Sequence, residues 1–227
     1  MTPTPRPVSA SLPAPCLAAG AVLAERDGRT IIANYGSVPA EIAVCMKSVG
    51  LIDRSDLGSF EIRAETPRLE RALSERLGDP PVATGSARRL RDVWYLRLDR
   101  RRALLVGPHD ALASGSPIVT EPEHDDWSGK DTSDRTSIIS VLGPRAARLL
   151  GATELPDELA IGAIGRDPGD PSVIAILRET QRRILIVVRA EGADGLWERL
   201  LIAGEPLEAA FVGADALSLL GAASLRV

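Results

Sequence analysis

Lys47 to Ile62 reads KSVGLIDRSDLGSFEI and sets two glycines and three acids between a helical pattern and a strand pattern. A plain linker would not carry so many apolar residues among its turn residues. Upstream, Ser37 to Val49 is predicted as a helix. Ser37 can cap it, Pro39 suits its first turn, and Glu41 favours the positive end of the helix dipole. Ile42, Cys45, Met46 and Val49 recur at helical spacing as one apolar stripe, and Gly50 sits where a glycine would end the helix. Downstream, Ser59 to Ala64 alternates as a strand. Between them Asp53 and Ser55 can bond backbone amides, and Gly58 permits a close approach before the strand. The stretch is therefore a folded corner joining a helix to a sheet.

Working outward, Thr30 to Ala33 is a short strand. Thr66-Pro67 opens a helix with Leu69, Leu73 and Leu77 inward and Gly78 closing it. Residues 79–91 are a Pro-, Gly- and Arg-rich loop. Val93 to Leu98 and Ala103 to Val106 are strands joined by the turn Asp99 to Arg102, and His109 to Ala113 makes one helical turn. Residues 114–135 are polar and read as a connector. The order then repeats: Ser137 to Leu142 is a strand, and Gly143-Pro144 opens a helix that Gly151 ends. Ser172 to Leu177 and Arg183 to Val188 are paired strands, Ala193 to Ile202 is a helix, Glu208 to Val212 a strand, and Asp215 to Leu220 a helix. SFEIRAETPRLERAL and SIISVLGPRAARLL are the same strand–turn–Pro–helix unit, roughly 80 residues apart, a spacing longer than that of a solenoid repeat. The expected fold class is α+β with duplicated β-α-β-β, ferredoxin-like units.

Composition narrows the function. The chain has 227 residues, 44% of them hydrophobic, which suffices for one large domain or two small ones. A net charge of −4 and 3% aromatic residues argue against nucleic-acid binding and base stacking. Cys16 and Cys45 form no paired motif, so neither a disulfide framework nor a zinc ribbon is expected. No apolar run approaches a membrane span, and no signal peptide is evident, so a soluble cytoplasmic protein is expected. Residues 1–20 hold five prolines and read as a tail that builds no core.

Few residues announce chemistry. His124-Asp125-Asp126 has no further ligand at a defined spacing and reads as a solvated acidic loop, so no metal site is predicted. Gly129-Lys130-Asp131 lacks the rest of a phosphate loop, and Gly162 to Gly165 precedes a turn rather than a helix. The basic run Arg88, Arg89, Arg91, Arg97, Arg100, Arg101 and Arg102 is either solvated strand ends or an anion cradle, with the solvated reading ahead.

YGSVPAEIAVCMKSVGLIDRSDLGSFEI, Tyr35 to Ile62, resembles the start of glycine-cleavage T proteins, the aminomethyltransferases of a folate-binding superfamily that also holds sarcosine oxidase subunits. Tyr35, Ser37, Glu41, Val49, Gly50, Asp53, Ser55, Leu57 and Gly58 match that family's pattern in order and spacing. Asp56 stands for its usual histidine, Met46 for an arginine and Ile52 for a phenylalanine. SIISVLGPRAARLL and GADGLWERLLIAG resemble later family segments. The resemblance implies the aminomethyltransferase folate-binding fold over residues 26–227, with subdomain 59–115 inserted between 26–58 and 116–227 and a flexible Pro-rich tail at 1–25. It implies tetrahydrofolate as cofactor, with Tyr35, Asp53, Ser55 and Arg178 as its binding residues. In RDVWYLRL it implies Asp92 as the catalytic carboxylate, which would help the N5 amine attack an aminomethyl carbon.

The departures are as informative. Where the family has a glycine-rich loop with a folate-contacting Glu, this sequence has RETQRRILIVV and keeps only Arg178. The chain is expected to lack the family's C-terminal barrel domain. Two readings stay open. One is a tetrahydrofolate-linked one-carbon transferase, degenerate or dependent on a partner protein that completes its site. The other is a non-catalytic small subunit of a sarcosine oxidase-like complex or a folate-binding accessory protein.

Overall fold

Residues 183–189, RILIVVR, are apolar at both strand parities, which a strand adopts when both of its faces are covered. The computed structural model, which describes residues 12–64, 82–114, 123–124 and 127–224, covers them with a second sheet on one side and helices on the other.

In chain order, helix α1 (Ala14–Ala18) and hairpin β1 (Val22–Arg26) and β2 (Arg29–Asn34) precede helix α2 (Val38–Lys47). Strand β3 (Gly50–Asp53) and strand β4 (Leu57–Ala64) flank the corner. Then come β5 (Ser86–Leu90), β6 (Val93–Arg97), β7 (Arg102–Pro108), α3 (His109–Ser114), β8 (Glu123–His124) and β9 (Trp127–Asp131). The last third holds β10 (Thr136–Leu142), α4 (Ala146–Ala152), β11 (Ile164–Gly165), β12 (Val173–Thr180), β13 (Arg183–Arg189), α5 (Ala193–Gly204), β14 (Ala210–Phe211) and α6 (Ala214–Ser224).

Two six-stranded sheets result, ordered β11-β12-β13-β10-β3-β14 and β5-β6-β7-β4-β9-β8. Mixed α+β architecture is thus as expected. Strands β10 to β13 and strands β4 to β7 share one order, the first strand of each set pairing with its fourth and the fourth with its third. β3 pairs with β10, Asp53 opposite Ile139, although every strand of the second sheet lies between them in sequence.

Parity assigns the layers. Leu104 and Val106 face the first sheet, while Ala103 and Leu105 face outward with Leu112 of α3. Leu185 and Val187 face the second sheet, while Ile184, Ile186 and Val188 pack under Leu149 of α4 and Trp197 of α5. Leu196 and Leu200 of α5 are core residues, and Leu217 and Leu220 of α6 pack against Val212 and Ala216.

The structure corrects several expectations. Gly50 does not terminate α2: Ser48 caps it and Gly50 begins β3, where a Cβ would stand 2.5 Å from Cys45 Sγ. Met46 is 55% exposed and leaves the apolar stripe to its neighbours. Residues 86–90 form an edge strand rather than loop, where polar side chains are tolerated because only one edge is paired, and 127–131 form a strand between β4 and β8 rather than connector. Residues 12–25, expected within a flexible tail, hold α1, whose Cys16 is wholly buried, and most of β1. The helix expected from Thr66 lies outside the described residues. Both cysteines are free, and no helix among the described residues is long and apolar enough to cross a membrane.

Ser37 caps α2 as expected, its side chain accepting from the Ala40 amide at 3.4 Å. Glu41 does more than favour the dipole. Its buried carboxylate accepts from the Tyr35 amide at 2.7 Å and the Gly213 amide at 2.8 Å, closing a link across 172 positions. Replacing Glu41 by Ala strands both donors and should cost roughly 2–6 kcal/mol, whereas Gln keeps one acceptor and should cost less. Urea unfolding of the two variants checks this; equal losses would show that the hydrogen bonds are not what Glu41 contributes.

Candidate functional site

The apolar layer between the sheets ends in charge. Along β12, Ala175 and Leu177 face the second sheet, and Glu179 carries the same parity. On β13, Arg183 shares the parity of Leu185 and Val187. Glu179 is only 9% exposed: Trp94 Nε1 of β6 donates to its Oε1 at 2.6 Å, and Arg183 Nε stands 2.7 Å from its Oε2. Burial pushes the Arg183 guanidinium below its ordinary range, and the Glu179 charge works against that. Arg89 lies 5.8 Å over the Trp94 ring.

The corner supplies the other wall. Arg54 is buried, and its Nε and Nη2 each donate to Asp56 at 2.8 Å, while Nη1 reaches Ser140 Oγ at 3.3 Å. Its backbone amide donates to Ile138 O, which fixes the corner against β10. His109, at the start of α3, packs where Gly58 leaves room, since a Cβ on Gly58 would stand 2.5 Å from His109 Nδ1. Burial, and then the charge of Arg29, holds His109 below the ordinary histidine range, and its Nε2 is buried with no hydrogen-bond partner. Arg29, Arg54, Asp56, His109, Arg183 and Leu217 border one cavity of about 670 Å³.

The residues singled out from the sequence divide. Tyr35, Asp53 and Ser55 come together, but none of them lines this cavity; alternate corner residues Arg54 and Asp56 do. Asp53 sits beneath the turn, accepting the Ser55 amide at 3.3 Å, and its charge is felt by Cys16 and Tyr35. Burial pushes the Cys16 thiol up to about 12 and the Tyr35 hydroxyl well above its usual range. The Tyr35 ring stacks on Phe211 at 5.2 Å, so Tyr35 serves the core. Asp92 is exposed in the two-residue turn between β5 and β6, next to Arg91 at φ 53°, and does not line this cavity. Arg178 spends its guanidinium on the backbone carbonyls of Asp157 at 3.1 Å and Gln181 at 3.0 Å. Parity was the signal that could have found Glu179 and Arg183, because both fall in phase with buried apolar neighbours.

No family model matches this chain, and no curated protein matches it in sequence. Solved structures do. The glycine cleavage system aminomethyltransferase T from Bartonella henselae is 21% identical, with a TM-score of 0.73 over 88% of this chain and 58% of that one. A chain of the heterotetrameric sarcosine oxidase from Corynebacterium sp. U-96 is 20% identical, with a TM-score of 0.59 over 76% of this chain and 93% of that one. The resemblance carried by Tyr35 to Ile62 therefore holds at the level of the fold. The chain spans 58% of the length of that aminomethyltransferase.

Burial pushes Asp53 up to about 6 from an ordinary 3.8, against the Ser55 hydrogen bonds. The folded chain thus holds this proton more tightly than the unfolded one. The contribution to stability is complete below pH 3.8 and is lost as pH rises through about 6. The span corresponds to on the order of 3 kcal/mol. Asp53→Asn should remove that slope, so that variant and parent converge near pH 4 and the variant is the more stable at pH 7. Urea unfolding across pH is the measurement, and parallel curves would show that folding leaves the Asp53 carboxyl at its ordinary value.

Proposed function

We propose that this chain binds a folate-class ligand, tetrahydrofolate, in the cavity beside the corner, and that it supports one-carbon chemistry only with a partner chain. One observation carries the reading: the two carboxylates paired with the cavity's arginines, Asp56 at its wall and the buried Glu179 behind Arg183, are already engaged. Asp56 is held by two nitrogens of Arg54, and Glu179 by Arg183 and Trp94. A carboxylate whose charge is already answered by a guanidinium is a poor general base. Asp92, given that role by the resemblance, sits on an exposed turn.

The residues present fit the ligand as binders. A volume of about 670 Å³ lies within the usual range for small-molecule sites. Arg29, Arg54 and Arg183 offer planar donors suited to the carboxylates of a glutamyl tail, and the orphaned His109 Nε2 is available to a polar ring edge. When bound, tetrahydrofolate supplies an amine that carries the one-carbon unit. Arg54 and Arg183 are fixed in place by their own carboxylates and would orient the tail, and Leu217 would shield one side from water. The shared strand order of β4 to β7 and β10 to β13 supports reading them as duplicated ferredoxin-like units, with the second sheet an insertion in the first.

A second reading is a non-catalytic small subunit of a sarcosine oxidase-like complex or a folate-binding accessory protein. It is favoured by the 93% coverage of the Corynebacterium chain.

Calorimetric titration with tetrahydrofolate tests the proposal. Weak saturable binding is expected, around 100 µM, together with no aminomethyl transfer from a loaded lipoyl carrier. Arg183→Ala combined with Glu179→Gln, which leaves no bare charge buried, should weaken binding about 10- to 150-fold. Absence of binding at millimolar ligand would sink the folate assignment, and turnover by the chain alone would sink the partner requirement.

A further inference from the structure

The inter-sheet layer has a second end. β13 runs from Arg183 at the first cavity to Arg189, and β7 runs from Arg102 to Pro108, back to that same cavity. Where Arg102 and Arg189 stand, the sheets part around another cavity of about 430 Å³. Its walls carry Arg63, Arg102, Lys130, Arg135 and Arg189 against one carboxylate, Glu61, with Leu104 and Ile174 as apolar backing.

Among the described residues the charges here are not balanced. Arg63 and Arg102 stand directly opposite each other across β4 and β7, an arrangement that like charges disfavour. Both lean on Glu61, at 3.1 Å and 2.8 Å, so its carboxylate is fully used. Among the described residues, Lys130, Arg135 and Arg189 make no side-chain hydrogen bond or ion pair. Their elements differ: β9, the 3-10 turn Ser133–Arg135, and β13. The whole chain is acidic, with a net charge of −4, so composition alone does not explain five cations around one acid. A concave site with partly apolar walls strengthens its field on an entering anion.

We infer that this cavity is a binding site for a small polyanion bearing at least two phosphate or carboxylate groups, held by Lys130, Arg135 and Arg189 and flanked by the Arg63–Glu61–Arg102 cluster. Guanidinium forks suit either group, and a dianion would answer the charge that Glu61 leaves over. The site is independent of the folate reading, because it shares no lining residue with the first cavity.

The full-length chain is titrated calorimetrically at low ionic strength with inorganic pyrophosphate and, separately, with citrate. One-to-one saturable binding of at least one probe is expected, weakened by added salt. The tighter probe tells whether phosphate or carboxylate is the group recognised. Lys130→Ala with Arg189→Ala should weaken that binding at least about tenfold, and Arg135→Ala alone should weaken it less. All three side chains are exposed, so the variants should unfold at the parent's midpoint, and their tetrahydrofolate titration should be unchanged. Failure of both probes to saturate, or equal binding by parent and double variant, would overturn the inference.

Discussion

Leu96, Leu104, Val106, Leu177, Leu185 and Val187 leave water together, and the two sheets can hide them only by stacking face to face. That layer places everything else. It forces β13 and β7 to be apolar on both faces, so each sheet needs a second cover. For the first sheet α1, α4 and α5 supply it, and for the second α3 contributes. It also decides where chemistry can sit. Twisted sheets part toward their ends, and at both ends the in-phase residues turn from leucine and valine to arginine and glutamate. The cavities are therefore consequences of where the apolar run stops.

The layer alone would not hold the chain's ends together. Glu41 does that, by accepting two backbone amides that no strand partner satisfies. Its second partner, Gly213, has room for no side chain, since a Cβ there would stand 2.2 Å from Ala33 O. The last helix can therefore dock on β2 only because position 213 is bare. β14 then adds in parallel to β3, and Phe211 stacks between Tyr35 and Trp197. One carboxylate and one glycine thus join residues 35, 41 and 213 into a single corner of the core.

Two of the arginines in this fold are paired with carboxylates. Arg54 with Asp56 and Arg183 with Glu179 are pairs that must persist, because separating either would leave an ion buried without compensation. Such pairs make rigid donors, which is what recognition of an anionic ligand requires. At the other end of the layer, among the described residues, cations are in excess around one shared acid.

Local signals made much of the fold legible. Ser37 and Pro39 start α2 wherever the chain goes afterwards, and the alternation of 59–64 and the apolar run of 103–106 need no partner to be read. The spacing from Tyr35 to Gly58 reached the right fold, because the corner is held by contacts within itself: Asp53 with Ser55, Arg54 with Asp56. The strands β5 and β9 were not legible, since polar residues in an exposed strand look the same as polar residues in a loop. Cys16 was hidden among prolines, because a five-residue helix docks through one side chain and leaves no period to detect. The site divided along the same line. Sequence determined which residues flank the corner; only the tertiary structure decided which of them face a cavity. Asp53 and Ser55 turned inward to the core, Arg54 and Asp56 outward to the cleft, and Asp92 to solvent. The reason is that a strand shows its neighbours two faces of opposite fate, and the sheet stacked against it chooses between them.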